Sequence, residues 1–245
     1  MRIDFDLVAG AFGKRGMADE VQNFREMDDA LQARIESECI IPQGGEWGDT
    51  ARICAYARAL RQVLLHRTIA LFEGTLRATI DENAYLMILA IRAQFETTAA
   101  LGYLHNRLHS LGRGDLDATK VDEDIMAQLL GTKDKCIPQA MPPKQILSML
   151  EYADLSVSRR ILGGTSKEHT MLRESYDFLC EFAHPNFHSN KIAFDLDKVG
   201  KRVVLRHLEP MHDNEFGIVS YSLISTPLHI ELHDAIEEVL PAGAL

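Results

Sequence analysis

Residues 84–108, AYLMILAIRAQFETTAALGYLHNRL, decide the fold. For most of its length this stretch is apolar on every side, interrupted only by Arg92, Gln94, Glu96 and a few threonines. A helix that is hydrophobic all round belongs in the middle of a protein rather than on its surface. It is too polar for a membrane span, because an Arg and a Glu near its centre would each cost roughly 3 kcal/mol on an insertion scale. The stretch therefore reads as the central helix of a soluble bundle.

The neighbouring segments supply what such a helix needs. Residues 50–80 run without Pro and with one late Gly, and are apolar at Ile53, Ala57, Leu60, Leu64, Ile69, Leu71 and Leu76, which predicts a second long helix. Only Asp81, Glu82 and Asn83 separate the two, and so short a link makes them antiparallel neighbours. Upstream, Val21, Phe24, Met27, Leu31 and Ile35 recur at threes and fours and predict a helix over 19–39. Pro42, Gly44 and Gly45 stop it, and Asp49 or Thr50 is placed to cap the next helix. The first eighteen residues, with Gly10, Gly13 and Gly16, read as irregular and loosely attached, so 1–45 is expected to be an N-terminal appendage.

Downstream, Gly112 and Gly114 end the central helix, and a modest helix is expected near 119–131. Residues 131–144 hold three prolines and read as a loop, with Pro142 and Pro143 suited to the first turn of a helix through about Arg160. Thr165 and Glu168 form a capping box for a helix that runs to about His184 and stops at Pro185. The period then changes to two in residues 191–197 and again in 201–207, around Val199 and Gly200, which predicts a small β-hairpin. Residues 214–240 read as a last helix with a kink at Pro227. No repeat or linker divides the chain. The expectation is one all-α domain over 1–245, a multi-helix bundle built on the long antiparallel helical hairpin with its core in 50–184.

Composition bounds the function. With 245 residues and 46% hydrophobic content, a large core is available. A formal charge of −10 argues against coating nucleic acid or an anionic membrane, since both reward a basic face. The cysteines at 39, 54, 136 and 180 have no C-x-x-C spacing and read as reduced thiols. The start, MRIDFDLVAG, shows no export signal, so a cytoplasmic protein is expected. The partner expected is another protein or a second copy of this chain, with nucleic acid disfavoured and no membrane.

Two segments concentrate chemistry. At 100° per residue, Tyr85, Arg92, Glu96, Ala99 and Tyr103 fall within about 40° of one another on the central helix. Arg92 and Glu96 are four apart and able to pair, but a buried pair costs several kcal/mol per ion unless other polar groups complete it. They read either as a structural ion pair that locks helix register or as the lining of a ligand or catalytic cleft. The helix LRESYDFLCEFAHPNFH places Arg173, Asp177, Cys180 and His184 within about 60°, with Leu172, Phe178, Leu179, Phe182 and Ala183 on the other side. His184 stands at a helix C-terminus, where backbone carbonyls favour an imidazolium, and is the candidate acid or base.

Metal chemistry fits poorly. Glu181-x-x-His184 with Glu96 has the spacing of a carboxylate-bridged di-metal bundle, but the second such pair is missing. His229-x-x-x-His233 with Glu237 also has helical metal spacing, which ten histidines in a helical chain produce easily by chance. No metal or cofactor is expected. Arg61 with His66 and Arg202 with His207 match an Arg-x4-His nuclease pattern, also at the frequency chance predicts.

Together, IRAQFETTAALGYL at 91–104 and YDFLCEFAHPN at 176–186 resemble a group of uncharacterised, mainly bacterial helical proteins. That group carries an Arg-x3-Glu helix and, later, a Tyr-x2-Leu-(Ser/Cys)-Glu-x2-His-Pro-Asn helix. It is distantly similar to the HEPN class of helical bundles, many of which are RNases with a late Arg-x(4–6)-His motif; here Arg173 and His184 stand farther apart than that. The resemblance implies that Arg92 and Glu96 approach Tyr176, Glu181, His184 and Asn186. Two functions follow as expectations. One is an interaction or regulatory module in which the cluster is structural. The other is a metal-independent hydrolase acting on RNA or a nucleotide, with His184 as acid or base, Glu96 orienting it, and Arg92 or Arg173 holding phosphate.

Overall fold

In the computed structural model, residues 3–41, 49–138, 140–161, 170–197, 199–206 and 209–240 are described. The centre is the hairpin of α3 (Asp49–Ile80) and α4 (Ala84–Gly112). Their link is tight because Glu82 adopts φ 54 while the Asn83 side chain accepts the Leu86 N–H, capping α4. Helix α4 packs against α3, α6 (Ile146–Ile161), α7 (Met171–Ala183) and α10 (Ser222–Val239), which is why it is apolar on every side. The protein is thus an all-α multi-helix bundle; α2 (Glu20–Gln32) and α5 (Ala118–Leu129) pack along α3.

Two local devices set the closest contacts. A Cβ added at Gly102 would stand 2.6 Å from the Ala153 Cβ, so the glycine lets α6 approach α4, and the Ser156 hydroxyl donates to the buried Gly102 carbonyl at 3.0 Å. Gln94 is fully buried, yet every capacity of its amide is used. Its Nε2 donates to Leu71 O and Thr75 Oγ1 on α3, and its Oε1 accepts from Ser222 and Ser225 on α10. Such a satisfied network fixes the register of three helices where apolar packing alone would let them slide.

The N-terminal residues correct the expectation of a loose appendage. Phe5–Gly13 forms helix α1, capped by Asp4, with Val8 and Phe12 fully buried. Phe12 lies edge-on to Phe24 and to Phe216, with ring centroids 5.3 and 5.1 Å apart, and Arg15 bridges Glu82 and Asp213. The glycines misled because the two residues that anchor the helix are four apart and outnumbered. Helix α2 ends at Gln32, leaving Ile35 exposed. The prolines at 142 and 143 precede α6 rather than begin it, because Met141 is engaged in a bridge with Gly131. The last segment is three pieces: α9 (Asp213–Phe216), a 3₁₀ turn over Gly217–Tyr221, and α10, which carries Pro227 within it. The break residues at 42–45 and the capping box of Thr165 and Glu168 lie outside the described residues.

After α7 comes α8 (Phe187–Lys191), then the hairpin of β1 (Phe194–Asp197) and β2 (Arg202–Leu205). The register pairs Phe194 with Leu205, Asp195 with Val204, Leu196 with Val203 and Asp197 with Arg202. Directly paired residues share a face, so Phe194, Leu196, Val203 and Leu205 form one apolar face. From the other face, Asp195 reaches His212, and Arg206, next along that side, binds Glu215. Leu196, Val203 and Leu205 are each more than half exposed, so the apolar face is turned outward.

Candidate functional site

The polar stripe of α4 is where the later helices dock. At its start the Tyr85 hydroxyl donates to Ser189 O of α8 at 2.9 Å. Near its end Tyr103 lies edge-on to Tyr152 of α6, and the Arg107 guanidinium sits over both rings at 4.5 and 4.1 Å. Between them Arg92 meets α7. Its Nη2 donates to the Tyr176 hydroxyl at 2.7 Å and lies 3.1 Å from Glu96 Oε1, while its Nε donates to Cys180 Sγ at 3.3 Å. The Tyr176 hydroxyl in turn donates to Glu96 Oε1 at 3.4 Å. The cluster is closed on itself.

The electrostatics agree with a mutually satisfied set. Burial opposes the Arg92 charge, but its bonds to Cys180, Glu96 and Tyr176 outweigh that and hold its pKa above the ordinary arginine value. Burial, with the Cys180 contact, pushes the Tyr176 phenol up to about 12. About a quarter of the Arg92 and Glu96 side chains is exposed, so water reaches the rim.

The candidate residues divide into three places, with His184 apart from all of them. Arg92, Glu96 and Tyr176 come together, joined by Cys180. The sequence reading placed Cys180 with the wet face of α7 and left it out of the site. The contact face of α7 is instead centred on Leu172, Ser175, Tyr176 and Leu179, and Cys180, one turn after Tyr176, rides on its edge. Glu181 and Asn186 form a second group: the Asn186 amide donates to Glu181 at 3.1 Å, and its carbonyl caps α8 by accepting the Ser189 N–H. The His184 side chain makes no hydrogen bond, ion pair or ring contact with any described residue. His184 is the C-cap of α7, with ψ 147, because the residue before a proline is driven out of the helical region, and its ring is exposed. Glu96 therefore does not orient the His184 ring, which corrects that expectation.

Arg173 belongs to a third place. Its side chain donates to Asp177 at 2.7 Å, and with Leu147, Ser148, Glu151, Asp154, Leu155 and Thr170 it lines a cavity of about 430 Å³ between α6 and α7. There the buried Asp154 carboxylate accepts the Leu172 and Arg173 N–H groups, serving as the N-terminal cap of α7, and burial pushes its pKa up to about 6.

The metal and nuclease spacings dissolve on inspection. His229 Nδ1 faces Thr68 Oγ1 at 3.2 Å, His233 Nδ1 faces Asp234, and Glu237 is taken by Arg58 and Arg61. Arg61 itself is buried between Glu36 and Glu237, and Arg202 pairs with Asp197; His207 lies outside the described residues. Among the described residues no group of three or more His, Cys, Asp or Glu side chains is placed to hold a metal ion, and no helix is long and apolar enough to cross a membrane. No family model, curated protein or solved structure matches the chain.

Proposed function

We propose that the protein is a non-enzymatic interaction module that assembles with a second copy of itself through its β-hairpin, and that the Arg92–Glu96–Tyr176–Cys180 cluster is a structural lock. The outward apolar face of the hairpin carries this reading. Residues 191–206 hold five Lys or Arg against two Asp, in a chain whose formal charge is −10. A basic, apolar element on an otherwise acidic protein finds its complement on the acidic surface of a second copy, and two reciprocal contacts close at a dimer. The lock is consistent with this use, since a cluster whose members satisfy one another leaves no group free to attack a substrate.

Size-exclusion chromatography with light scattering tests the proposal. The expected result is a dimer that is weakened by salt and lost in the double substitution Leu196→Ser, Val203→Ser. A monomer at about 100 μM, a concentration at which even weak specific dimers assemble, overturns the proposal. A dimer indifferent to the double substitution removes the hairpin from the interface.

The exposed, unengaged His184 ring supports a second reading, the metal-independent hydrolase of HEPN-like type acting on RNA or a nucleotide. In that reading His184→Ala abolishes cleavage and leaves the melting temperature unchanged; equal cleavage by the variant removes it.

A further inference from the structure

A second cavity, of about 250 Å³, lies where α7, α8, the root of the β-hairpin and α9 converge. Its apolar walls are Phe178, Phe182, Ile192 and Ile218. The two rings stand edge to face at 5.2 Å, and Phe178 is backed by Tyr221, stacked at 5.1 Å with 13° between the planes. Phe178 is nonetheless 40% exposed, whereas Tyr176, two residues before it on the same helix, is buried. A ring held rigid from behind and left open in front is a ready stacking surface.

The polar lining is asymmetric in what it leaves unused. Both carboxylates are already engaged: Asp195 by His212 at 3.1 Å, and Glu215 by Arg206 and by the His212 N–H, each at 2.8 Å. The Lys191 ammonium, the His188 imidazole and the Asn214 amide line the same cavity and have no hydrogen-bond or ion-pair partner among the described residues. The cavity thus offers one unpaired cation and two further polar groups beside an aromatic wall, while Glu215 is held by Arg206 and Asp195 by the His212 ring.

We infer that this cavity binds a small aromatic anion, a ring or fused pair of rings bearing a carboxylate, with the ring against Phe178 and Phe182 and the carboxylate on Lys191. The volume lies just below the range usual for drug-sized ligands, which admits one or two rings and excludes larger cofactors. A charge-assisted bond to an ammonium, beside a ring that excludes water from one side, supplies selectivity for the anion over its neutral amide. None of the cavity's lining residues belongs to the Arg92 cluster, but Lys191 and Asp195 also fall in the 191–206 segment of the dimer reading, so each variant's oligomeric state is measured beside its affinity.

The test is a fluorescence titration of the full chain with 2-aminobenzoate, repeated with benzoate, benzamide and benzylamine as competitors. The expected result is saturable one-to-one binding, displaced by benzoate and not by the amide or the amine. Lys191→Glu and Phe178→Ala, both at exposed positions, should each raise Kd about tenfold or more, while Lys191→Arg stays within about threefold. Circular dichroism melts of the same variants confirm that each remains folded. No saturation up to about 5 mM, where even a weak ligand of this size registers, overturns the inference. So does displacement by benzamide as effective as by benzoate, or an affinity that Lys191→Glu leaves unchanged.

Discussion

Acid should loosen this bundle through histidines that are buried neutral, and His229 isolates the effect. Its ring is fully buried, with Nδ1 against the Thr68 hydroxyl and Nε2 without a partner. Burial, followed by the nearby His233, lowers its pKa to about 3, and burial with the charge of His109 lowers that of His105 to about 4. Both lie below the unfolded value of about 6.5, so the unfolded chain binds the proton first and stability falls as the pH drops below about 6.5. Between pH 7 and pH 5 each histidine withdraws about 2 kcal/mol on that basis. His233 acts in the same direction. Asp154 acts in the opposite one: its folded pKa of about 6 exceeds the unfolded carboxylate value, so acidification returns about 1 kcal/mol over the same interval. The measurement is urea unfolding followed by circular dichroism at pH 7 and pH 5, at one protein concentration, for the parent and for His229→Leu. Whatever constant cost the substitution carries, including the Thr68 hydroxyl left without its ring, cancels in the pH difference. The variant should lose about 2 kcal/mol less than the parent between the two pH values. An equal loss in both would refute the assignment of His229 as a neutral buried group.

Three further outcomes test the architecture. Gln94→Leu leaves the Ser222 and Ser225 hydroxyls and the Thr75 hydroxyl without their shared partner, and should cost about 3 kcal/mol in the same urea assay. Gly102→Ala forces α6 away from α4 and should lower stability by about 1–3 kcal/mol despite the better helix former, with Ala153→Gly restoring only part of it because the Ala153 Cα would still lie 2.8 Å from the added methyl; additivity of the two changes would show that they do not touch. Arg92→Met should cost about 1–2 kcal/mol by leaving Glu96 and Tyr176 without their cation, whereas His184→Ala should stay within about 0.5 kcal/mol of the parent, a contrast that disappears if His184 belongs to the cluster.

The long helices were legible because their signal is strong and local. The run of 50–80, the three-residue link and the all-round apolar stretch at 84–108 each left a single reading; α3 begins one residue before that run, and α4 begins at Ala84 and extends one turn past Leu108. The period-two segments likewise gave the β-hairpin. Helix α1 was not legible, because its anchoring depends on Phe24 and Phe216, which no spacing within residues 1–18 announces. Nor was the direction in which the hairpin's apolar face points. Alternation separates Phe194 and Leu196 from Asp195 and Asp197, but the partner that draws Asp195 toward the body, His212, arrives from a later segment.

The site was half legible for a related reason. Arg92 and Glu96, four apart on a helix that had to be buried, demanded company on physical grounds alone, and Tyr176 provides it. His184 was drawn into the same cluster by the wheel, which continues the helix past a point where Pro185 ends it. A wheel also assigns Cys180 and Phe178 to a wet and a dry side of α7, whereas packing does the reverse, turning the thiol toward Arg92 and leaving the ring at a cavity mouth.

That reversal shows what the Arg92 cluster accomplishes. A helix buried by apolar contacts alone would rotate to hide Phe178 with Leu172 and Leu179, since burying the 40% of it that stands exposed would gain about 1 kcal/mol. Holding the ring exposed requires an opposing preference of at least that size. The Tyr176 hydroxyl and the Cys180 thiol, both bonded to a guanidinium that is itself fixed by Glu96, provide it, because rotation of α7 would leave the guanidinium with Glu96 alone and cost both of these bonds. The pair at Arg92 and Glu96 therefore sets the rotation of α7, and through it the position of Phe178 and Phe182 at the cavity. In this arrangement the polar stripe of the central helix serves the surface of the bundle by fixing what its neighbour presents.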